Sequence, residues 1–234
     1  MKKEINLSII IPCFNEQKNI KNTLIKVLRA LKNYQKFEIL VIDDGSKDKT
    51  KLIVNKLSQL SKKLKLISLK TNKGVQNAIY VGAKNSRYKY ITHFPGDDSF
   101  EQKGIENLII QVGKKDLVIG YRKDYHQKIN LLRLFLSKTL IFIMRFLTKK
   151  NLRDFHGPYV CETKLLRKKF QSSRYDGQVE ILYNILKKNL SLIEVPVYVR
   201  AKTIKDTNVV KFSVCLSFML TLSRLLFTNI SKRK

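Results

Sequence analysis

Apolar runs and amphipathic stretches alternate along the first half of the chain. Leu7 to Ile11 is a short β-branched run closed by Pro12, the pattern of a buried strand. From Glu16 to Leu31 apolar residues recur at Ile20, Leu24, Val27, Leu28 and Leu31, which predicts a helix with Asn15 as its cap and Glu16 in its first turn. Phe37 to Ile42 reads as a second strand. Asp48 to Leu60 reads as a second helix, with Leu52, Ile53, Leu57 and Leu60 on one face. Leu64 to Leu69, Tyr90 to Phe94 and Leu117 to Gly120 complete five strands, with a third helix over Lys73 to Ser86. Strict alternation of strand and helix implies right-handed crossovers and a mostly parallel sheet with helices on both faces. Strands covered on both faces read as continuous apolar runs, as these do. In such α/β folds ligands bind beyond the carboxyl ends of the strands.

Two later segments break the pattern. Ile129 to Leu147 is strongly apolar but carries Arg133, Lys138 and Arg145; Val209 to Ile230 is similar, with Lys211 and Arg224 inside it and basic residues behind it. Central cations suit neither as a clean membrane span, although about twenty residues is long enough for one. Either segment could lie in the headgroup plane with its cations toward lipid phosphates. For residues 129–147 a buried core helix is an equal alternative. For the C-terminal stretch the length and basic end favour an amphipathic membrane helix.

Composition sharpens the choice of partner. The chain has 234 residues, enough for one large domain or a domain with an appendage, and a net charge of +29. Such a surface attracts polyanions: nucleic acid, anionic lipid or phosphorylated ligands. A merely lysine-rich composition is the plainer alternative. No aromatic-basic signature of nucleic-acid recognition accompanies the charge, so no nucleic-acid partner is expected. Cys13, Cys161 and Cys215 are widely separated and form no zinc spacing, which suits buried thiols in a reducing compartment. The N-terminal apolar run is at the low edge for a signal peptide, and no cleavage site follows it. A cytoplasmic chain is expected.

The candidate chemistry is acidic. Asp43-Asp44 follows the second strand, and Pro95-Gly96-Asp97-Asp98-Ser99 follows the fourth. Either pair alone is as well explained by a turn or a cap. Two pairs at neighbouring strand ends in a basic protein instead suggest a hard divalent cation, Mg²⁺ or Mn²⁺, shared with phosphates. Gly74, Ala78 and Gly82 lack the spacing of a dinucleotide fingerprint and read as a helix packed closely on the sheet. His93 reads as a core or rim histidine and His126 as solvated. His156 is either structural or, beside Asp154, near an acceptor.

The stretches IIIPCFNE, EILVIDDGSKDKT, NKGVQNAIYVGAKNS, HFPGDDS, IGYR, LRDFHGPYVC, DGQVEIL and IEVPVYVR occur in one order from Leu7 to about Arg200. In that order they resemble family 2 glycosyltransferases of the GT-A, Rossmann-like fold, and most of all the dolichyl- or polyprenyl-phosphate mannose synthases and their bacterial relatives. The resemblance implies a catalytic domain over residues 1–204, a membrane-associating tail over 205–234, and inverting transfer of a sugar from a nucleotide donor to a polyprenyl phosphate at the cytoplasmic face of a membrane. The protein would be peripheral or monotopic there, on an anionic surface. By resemblance Pro12, Phe14, Glu16, Ile42, Asp44, Gly96, Asp97, Arg200 and Lys205 line the donor, Phe14 replacing the usual tyrosine. Asp97 matches the second carboxylate of the family's metal motif, whereas Pro95 replaces the first. The implied Mg²⁺ or Mn²⁺ therefore has one carboxylate fewer, with Asp98 as an extra ligand. Arg122, Arg133 and Ser137 match residues that grip the acceptor phosphate, the last two four apart on one helix face. Asp154, Gln178 and Glu180 match acidic and amide positions near the acceptor. An ionised lipid phosphate needs no general base; a hydroxyl acceptor would need one, with Asp154 or Glu180 as the candidate. A glycan or lipid-hydroxyl acceptor, and a binding protein that has lost catalysis through Pro95, are the alternatives.

Overall fold

The computed structural model describes residues 3–125, 129, 131–168, 177–200 and 220–224. Among them seven strands form one sheet: β1 (Lys3–Cys13), β2 (Tyr34–Asp43), β3 (Leu64–Ser68), β4 (Tyr90–His93), β5 (Leu117–Lys123), β6 (Tyr159–Glu162) and β7 (Leu192–Tyr198). Six helices accompany them: α1 (Ile20–Ala30), α2 (Thr50–Gln59), α3 (Val75–Asn85), α4 (Gln102–Ile109), α5 (Leu131–Thr148) and α6 (Gly177–Leu186). The sheet order is β3-β2-β1-β4-β6-β5-β7. β1 pairs in parallel with both β2 and β4, and β5 with β7, whereas β6 runs antiparallel between β4 and β5.

The apolar runs become the middle of the sheet because they are covered on both sides. Leu7, Ile9, Ile10 and Ile11 of β1 and Ile39, Val41 and Ile42 of β2 are completely buried. Ile9 and Ile11 join the core beneath α1, α2 and α4; Ile10 and Ile42 join the core beneath α3, α5 and α6. Right-handed crossovers explain the division. The chain winds outward from β1 to β3, then crosses back to β4, so α3 lies on the opposite face from α1 and α2. That reversal between β1 and β4 is a topological switch point, where a crevice opens at the strand ends.

Gly82 sits where α3 meets the sheet. A β-carbon there would lie 2.7 Å from the Ile10 side chain, so the glycine serves close helix–sheet packing. The first helix begins later than its periodicity implies. Asn15 does not cap it; its backbone is left-handed at φ 55, and α1 starts at Ile20 after a turn in which Asn19 N–H donates to the Glu16 carbonyl. Asn15 instead ties two loops, donating its N–H to Ser46 Oγ and accepting the Lys47 N–H at Oδ1. The antiparallel β6 and helices α4 and α6 also go beyond the alternation read from the sequence.

From Leu131 to Thr148 the chain forms a two-faced helix. Leu140, Ile141, Met144 and Leu147 of α5 enter the core while its other side is exposed. Of the C-terminal stretch, residues 220–224 are helical, with Thr221 buried and Leu222 packed against the core that contains α5 and α6. The rest of the tail, with Lys205 and Cys215, and also His126, lies outside the described residues. No helix among the described residues is long and apolar enough to cross a membrane.

Candidate active site

The carboxyl ends of β1, β2 and β4 carry the acidic clusters. Asp43 pairs with Cys13 in the register of β1 and β2, and Gly96 N–H donates to the Pro12 carbonyl. The β2 and β4 ends therefore flank β1, roughly 10 Å apart at the usual strand spacing. Asp43 shapes its own turn by accepting the Ser46 N–H. Asp44 is buried and accepts the N–H groups of Lys73 and Gly74, so it fixes the loop entering α3 to the end of β2. Gly74 is left-handed at φ 92, which suits glycine there. Ile42 is completely buried just below, and Phe14 is exposed at the rim.

The loop after β4 is held from α1. Thr23 Oγ1 donates to the Gly96 carbonyl (3.1 Å) and accepts the Asp98 N–H (3.0 Å), bracketing Asp97. A β-carbon on Gly96 would lie 2.8 Å from Cys13 Cβ, so the residue between Pro95 and Asp97 must be small. Thr23 was not singled out in the sequence, although a polar residue inside the buried stripe of an amphipathic helix is a readable signal.

The two aspartates of this loop differ. Asp98 is buried at φ 59; its Oδ1 lies 2.6 Å from Lys26 Nζ, and its Oδ2 pairs with Arg200. Both oxygens face cations, which makes Asp98 an ion-pair partner rather than the extra metal ligand expected. Arg200, expected at the donor, is drawn to the same carboxylate. Asp97 accepts the Ser99 N–H, and burial pushes its carboxyl up, against the bonds from Ser99 and with the charge of Asp98 adding to the rise. Glu16 accepts a hydrogen bond from Asn19, yet burial pushes its carboxyl up too, aided by Asp97 and Asp48. Burial raises the Cys13 thiol as well, reinforced by Asp43, Glu16, Asp48 and Asp44. A concentrated negative potential thus lies at the switch point of a protein whose net charge is +29.

That potential fits a hard cation. No group of three or more His, Cys, Asp or Glu side chains forms a metal cage among the described residues. Mg²⁺ in particular needs only one or two carboxylates when phosphate oxygens and water complete its shell. Asp97, desolvated beside Glu16, matches that demand.

Across β6 the same rim carries a buried ion pair. Arg122 near the end of β5 makes a two-pronged pair with Asp154, Nε to Oδ2 at 2.6 Å and Nη2 to Oδ1 at 3.0 Å. Asp154 also accepts the Arg122 and His156 N–H groups. Burial opposes its ionisation, but the charge and hydrogen bonds of Arg122 outweigh burial and hold the carboxyl well below the usual range. Such a carboxylate is a poor proton acceptor, so Asp154 is better placed to orient Arg122 than to act as a general base. The guanidinium lies 3.9 Å from the Tyr125 ring centroid. Tyr125 was likewise not singled out in the sequence. Gln178 donates from Nε2 to the carbonyls of His156 and Gly157, securing this turn from the start of α6. Glu180, two residues on, is buried, and its carbonyl accepts the Asn184 side chain. Arg133 and Ser137 are partly buried at the start of α5. Helical spacing places them on the side of Leu140 and Met144.

His93 is buried against Tyr159, ring centroids 5.0 Å apart, and burial lowers it to about 4. It is neutral near pH 7. An unfolded histidine titrates near 6.5, so this contribution to stability is complete above that value and is lost as pH falls toward 4. The raised carboxyls of Glu16 and Asp97 act in the opposite direction as pH falls. Urea midpoints of wild type and His93→Leu should therefore be compared as a difference. Between about pH 7 and 4.5 the wild type is expected to lose up to roughly 2–3 kcal/mol more than the variant. Parallel pH profiles would show that His93 is not held neutral.

Residues 8–172 match the family model described as Glycosyl transferase family 2. The chain belongs to glycosyl transferase family 2. A dolichyl-phosphate beta-glucosyltransferase of Dictyostelium discoideum is 32% identical over 215 residues, covering 82% of this family 2 chain and 66% of the relative. The mouse enzyme of the same description is 30% identical over 205 residues, 76% and 62% of the two chains. A dodecaprenyl-phosphate galacturonate synthase of Rhizobium johnstonii is 26% identical over 171 residues, 70% of this chain and 48% of the relative. The chain thus spans between about half and just under two thirds of the length of these curated relatives. Among solved structures, glucosyl-3-phosphoglycerate synthase from Mycobacterium tuberculosis in complex with uridine-diphosphate superposes with a TM-score of 0.70 at 14% identity, covering 94% of this chain and 80% of that one. The same enzyme with Mn²⁺, uridine-diphosphate-glucose and phosphoglyceric acid gives 0.70 at 13% identity, covering 94% and 79%. These likenesses show the α/β glycosyltransferase fold. Divalent-metal use is thereby seen in a fold neighbour.

Proposed function

We propose that this family 2 chain is an inverting glycosyltransferase that moves a sugar from a nucleotide donor to a polyprenyl phosphate or similar lipid phosphate. The observation that carries the reading is one rim with two halves: buried carboxylates with raised proton affinity at the β1/β4 switch point, and a buried, oriented arginine across β6. The named activities of the relatives support the same reading. Pro12, Phe14, Glu16, Ile42 and Asp44 line the donor's nucleoside end, with Arg200 and Lys205 at the border of the tail. Asp97 would hold Mg²⁺ or Mn²⁺. When bound, the cation would offset charge growing on the departing diphosphate.

Arg122, Arg133 and Ser137 hold the acceptor phosphate. Arginine forks suit phosphate oxygens bidentately. One of those oxygens attacks the anomeric carbon as the bond to the donor diphosphate breaks on the opposite face, inverting the centre. The attacking oxygen is already ionised, so no side chain need remove a proton. The commitment of Asp154 to Arg122 favours this over a hydroxyl acceptor, for which only Glu180 would remain as base. The protein works at the cytoplasmic face of a membrane, as a peripheral or monotopic enzyme aided by its basic tail.

The test is transfer from a panel of nucleotide sugars to a polyprenyl phosphate, with Mn²⁺ and after chelation. Chelation should suppress wild-type transfer. Asp97→Asn is expected to lower kcat at least ~100-fold while nucleotide affinity changes much less. Nucleotide binding by the wild type without turnover of any donor would favour a binding protein that has lost catalysis. Unchanged kcat in Asp97→Asn would remove Asp97 from the chemistry.

A further inference from the structure

We propose that His93 and Tyr159 act together as a positioning pair that fixes the Asp97 half of the rim against the Arg122 half. The backbone ladder between β4 and β6 runs from Tyr90–Glu162 to Thr92–Val160. One step further in the same antiparallel register stand His93 and Tyr159, a cross-strand pair at the point where the two strands part. Past His93 the chain enters the loop that carries Asp97, and ahead of Tyr159 lies the turn that carries Asp154. The two rings meet there edge to face, with centroids 5.0 Å apart and planes at 72°. Tyr159 is also opposite Ile119 of β5, three residues before Arg122, and Pro158 beside it accepts the Gly120 N–H at 2.8 Å. One side-chain contact thus joins a segment that leads to Asp97 with a segment tied to Arg122.

The other ties on this loop serve different ends. Thr23 and the Pro12 carbonyl hold it to α1 and β1, which sets Asp97 against the donor half alone. The loop does reach β7, where Glu101 N–H donates to the Tyr198 carbonyl and Arg200 N–H to the Ser99 carbonyl, but only past Asp98. The ring pair acts at the entry to the loop, where Tyr159 belongs to the core beneath α3, α5 and α6.

Stability alone does not account for the pair. His93 is 5% exposed and Tyr159 is completely buried. Among the described residues neither His93 Nδ1 nor the Tyr159 hydroxyl has a hydrogen-bond partner. Two orphaned polar atoms cost more than one edge-on ring contact returns, and leucine or phenylalanine would fill these places without them. The orphaned atoms also indicate how the link works: ring contact carries it, not a hydrogen bond. In-line attack needs the acceptor oxygen close to the anomeric carbon, and a misplacement of about 1 Å costs on the order of 100-fold. The inference rests on the reading of the rim in which Asp97 serves the donor and Arg122 the acceptor, and the experiment separates the two.

Wild type, His93→Leu, Tyr159→Leu, the double variant and Tyr159→Phe are compared at neutral pH in transfer from a nucleotide sugar to a polyprenyl phosphate, with calorimetric nucleotide affinity and urea midpoints alongside. Each leucine variant is expected to lower kcat about 10-fold or more, with nucleotide affinity and the KM for the nucleotide sugar within about 2-fold of wild type. The double variant should lose little beyond either single one, because both break the same contact. Tyr159→Phe keeps the ring and discards the orphaned hydroxyl, so it should recover wild-type kcat with an equal or higher urea midpoint. If Tyr159→Leu does not fold, His93→Leu, the smaller change in volume, decides. Wild-type kcat in the folded leucine variants overturns the proposal, as does a fall in nucleotide affinity as large as the fall in kcat. A Tyr159→Phe protein as slow as Tyr159→Leu also overturns it, by giving the role to the hydroxyl. So does a double variant whose loss equals the product of the single losses, since the residues would then act apart. If wild type serves only an acceptor that lacks a phosphate, and the leucine variants slow that transfer, the pair stands and the lipid-phosphate reading falls. No transfer to any acceptor sinks both.

Discussion

Gly157→Ala is expected to yield no soluble folded protein, or one destabilised by more than ~4 kcal/mol. A β-carbon built on Gly157 would lie 1.6 Å from the Gly120 carbonyl oxygen and 2.7 Å from its carbon. Both atoms belong to the backbone of β5, so no rotamer can yield. The two segments are also stitched together: Gly120 N–H donates to the Pro158 carbonyl at 2.8 Å, and Gln178 grips the carbonyls of His156 and Gly157 from the other side. The turn between Asp154 and β6 therefore cannot retreat without giving up buried hydrogen bonds. Gly82→Ala makes a useful contrast, because the three atoms nearest its new methyl all belong to the side chain of Ile10. A side chain can shift, and about 1–3 kcal/mol is expected there. Soluble yield and urea midpoints of the two variants measure the difference. A Gly157→Ala protein as stable as Gly82→Ala would mean that the β5–turn approach is much looser than the backbone contacts imply.

The parallel half of the sheet was legible because burial on both faces leaves no ambiguity. Ile9-Ile10-Ile11 and Leu40-Val41-Ile42 have no polar position at which another register could start. The other half was harder to read. Tyr159-Val160-Cys161-Glu162 is a four-residue strand whose direction depends on α5 returning the chain to the carboxyl edge, which short-range periodicity does not encode. The first-helix boundary failed for a local reason. Asn15 had the right chemistry for a cap, but its side chain is used across the loop by Lys47, and the helix waits until Ile20.

Site residues were legible as types and not as pairings. The sequence put Asp97 beside Asp98 and treated both as metal ligands. Only the fold brings Lys26 and Arg200 to Asp98, separating an aspartate held by two cations from one with no ion pair among the described residues. Lys26 gave no such signal, since a lysine on an amphipathic helix ordinarily faces solvent. The same holds for Asp154. Its acidity suggested a base, and the partner that removes that role lies 32 residues earlier.

That pairing gives the second large effect. Arg122→Ala is expected to lower stability by about 3–5 kcal/mol at neutral pH, because Asp154 would remain buried and ionised with its two-pronged partner gone. Asp154→Asn should cost less. Its amide oxygen can still accept a hydrogen bond, and Arg122 can turn toward Tyr125 or solvent. The loss in Arg122→Ala should shrink as pH falls. A carboxyl held low by its partner contributes stability that is complete above the unfolded value near 3.9 and disappears below it, so near pH 3 the wild type should already have forfeited part of the pair's contribution. Activity supplies the independent readout. Arg122→Ala should reduce transfer to a lipid phosphate by at least ~100-fold, and Arg122→Lys should recover stability better than transfer, since a point charge cannot reproduce the fork. Asp154→Asn, keeping the guanidinium but loosening its aim, should affect kcat more than the KM for the nucleotide sugar. Urea titrations at both pH values and steady-state transfer assays test each part separately. Wild-type transfer by a folded Arg122→Ala protein would confine Arg122 to a structural role and move the acceptor phosphate to the α5 side of the rim.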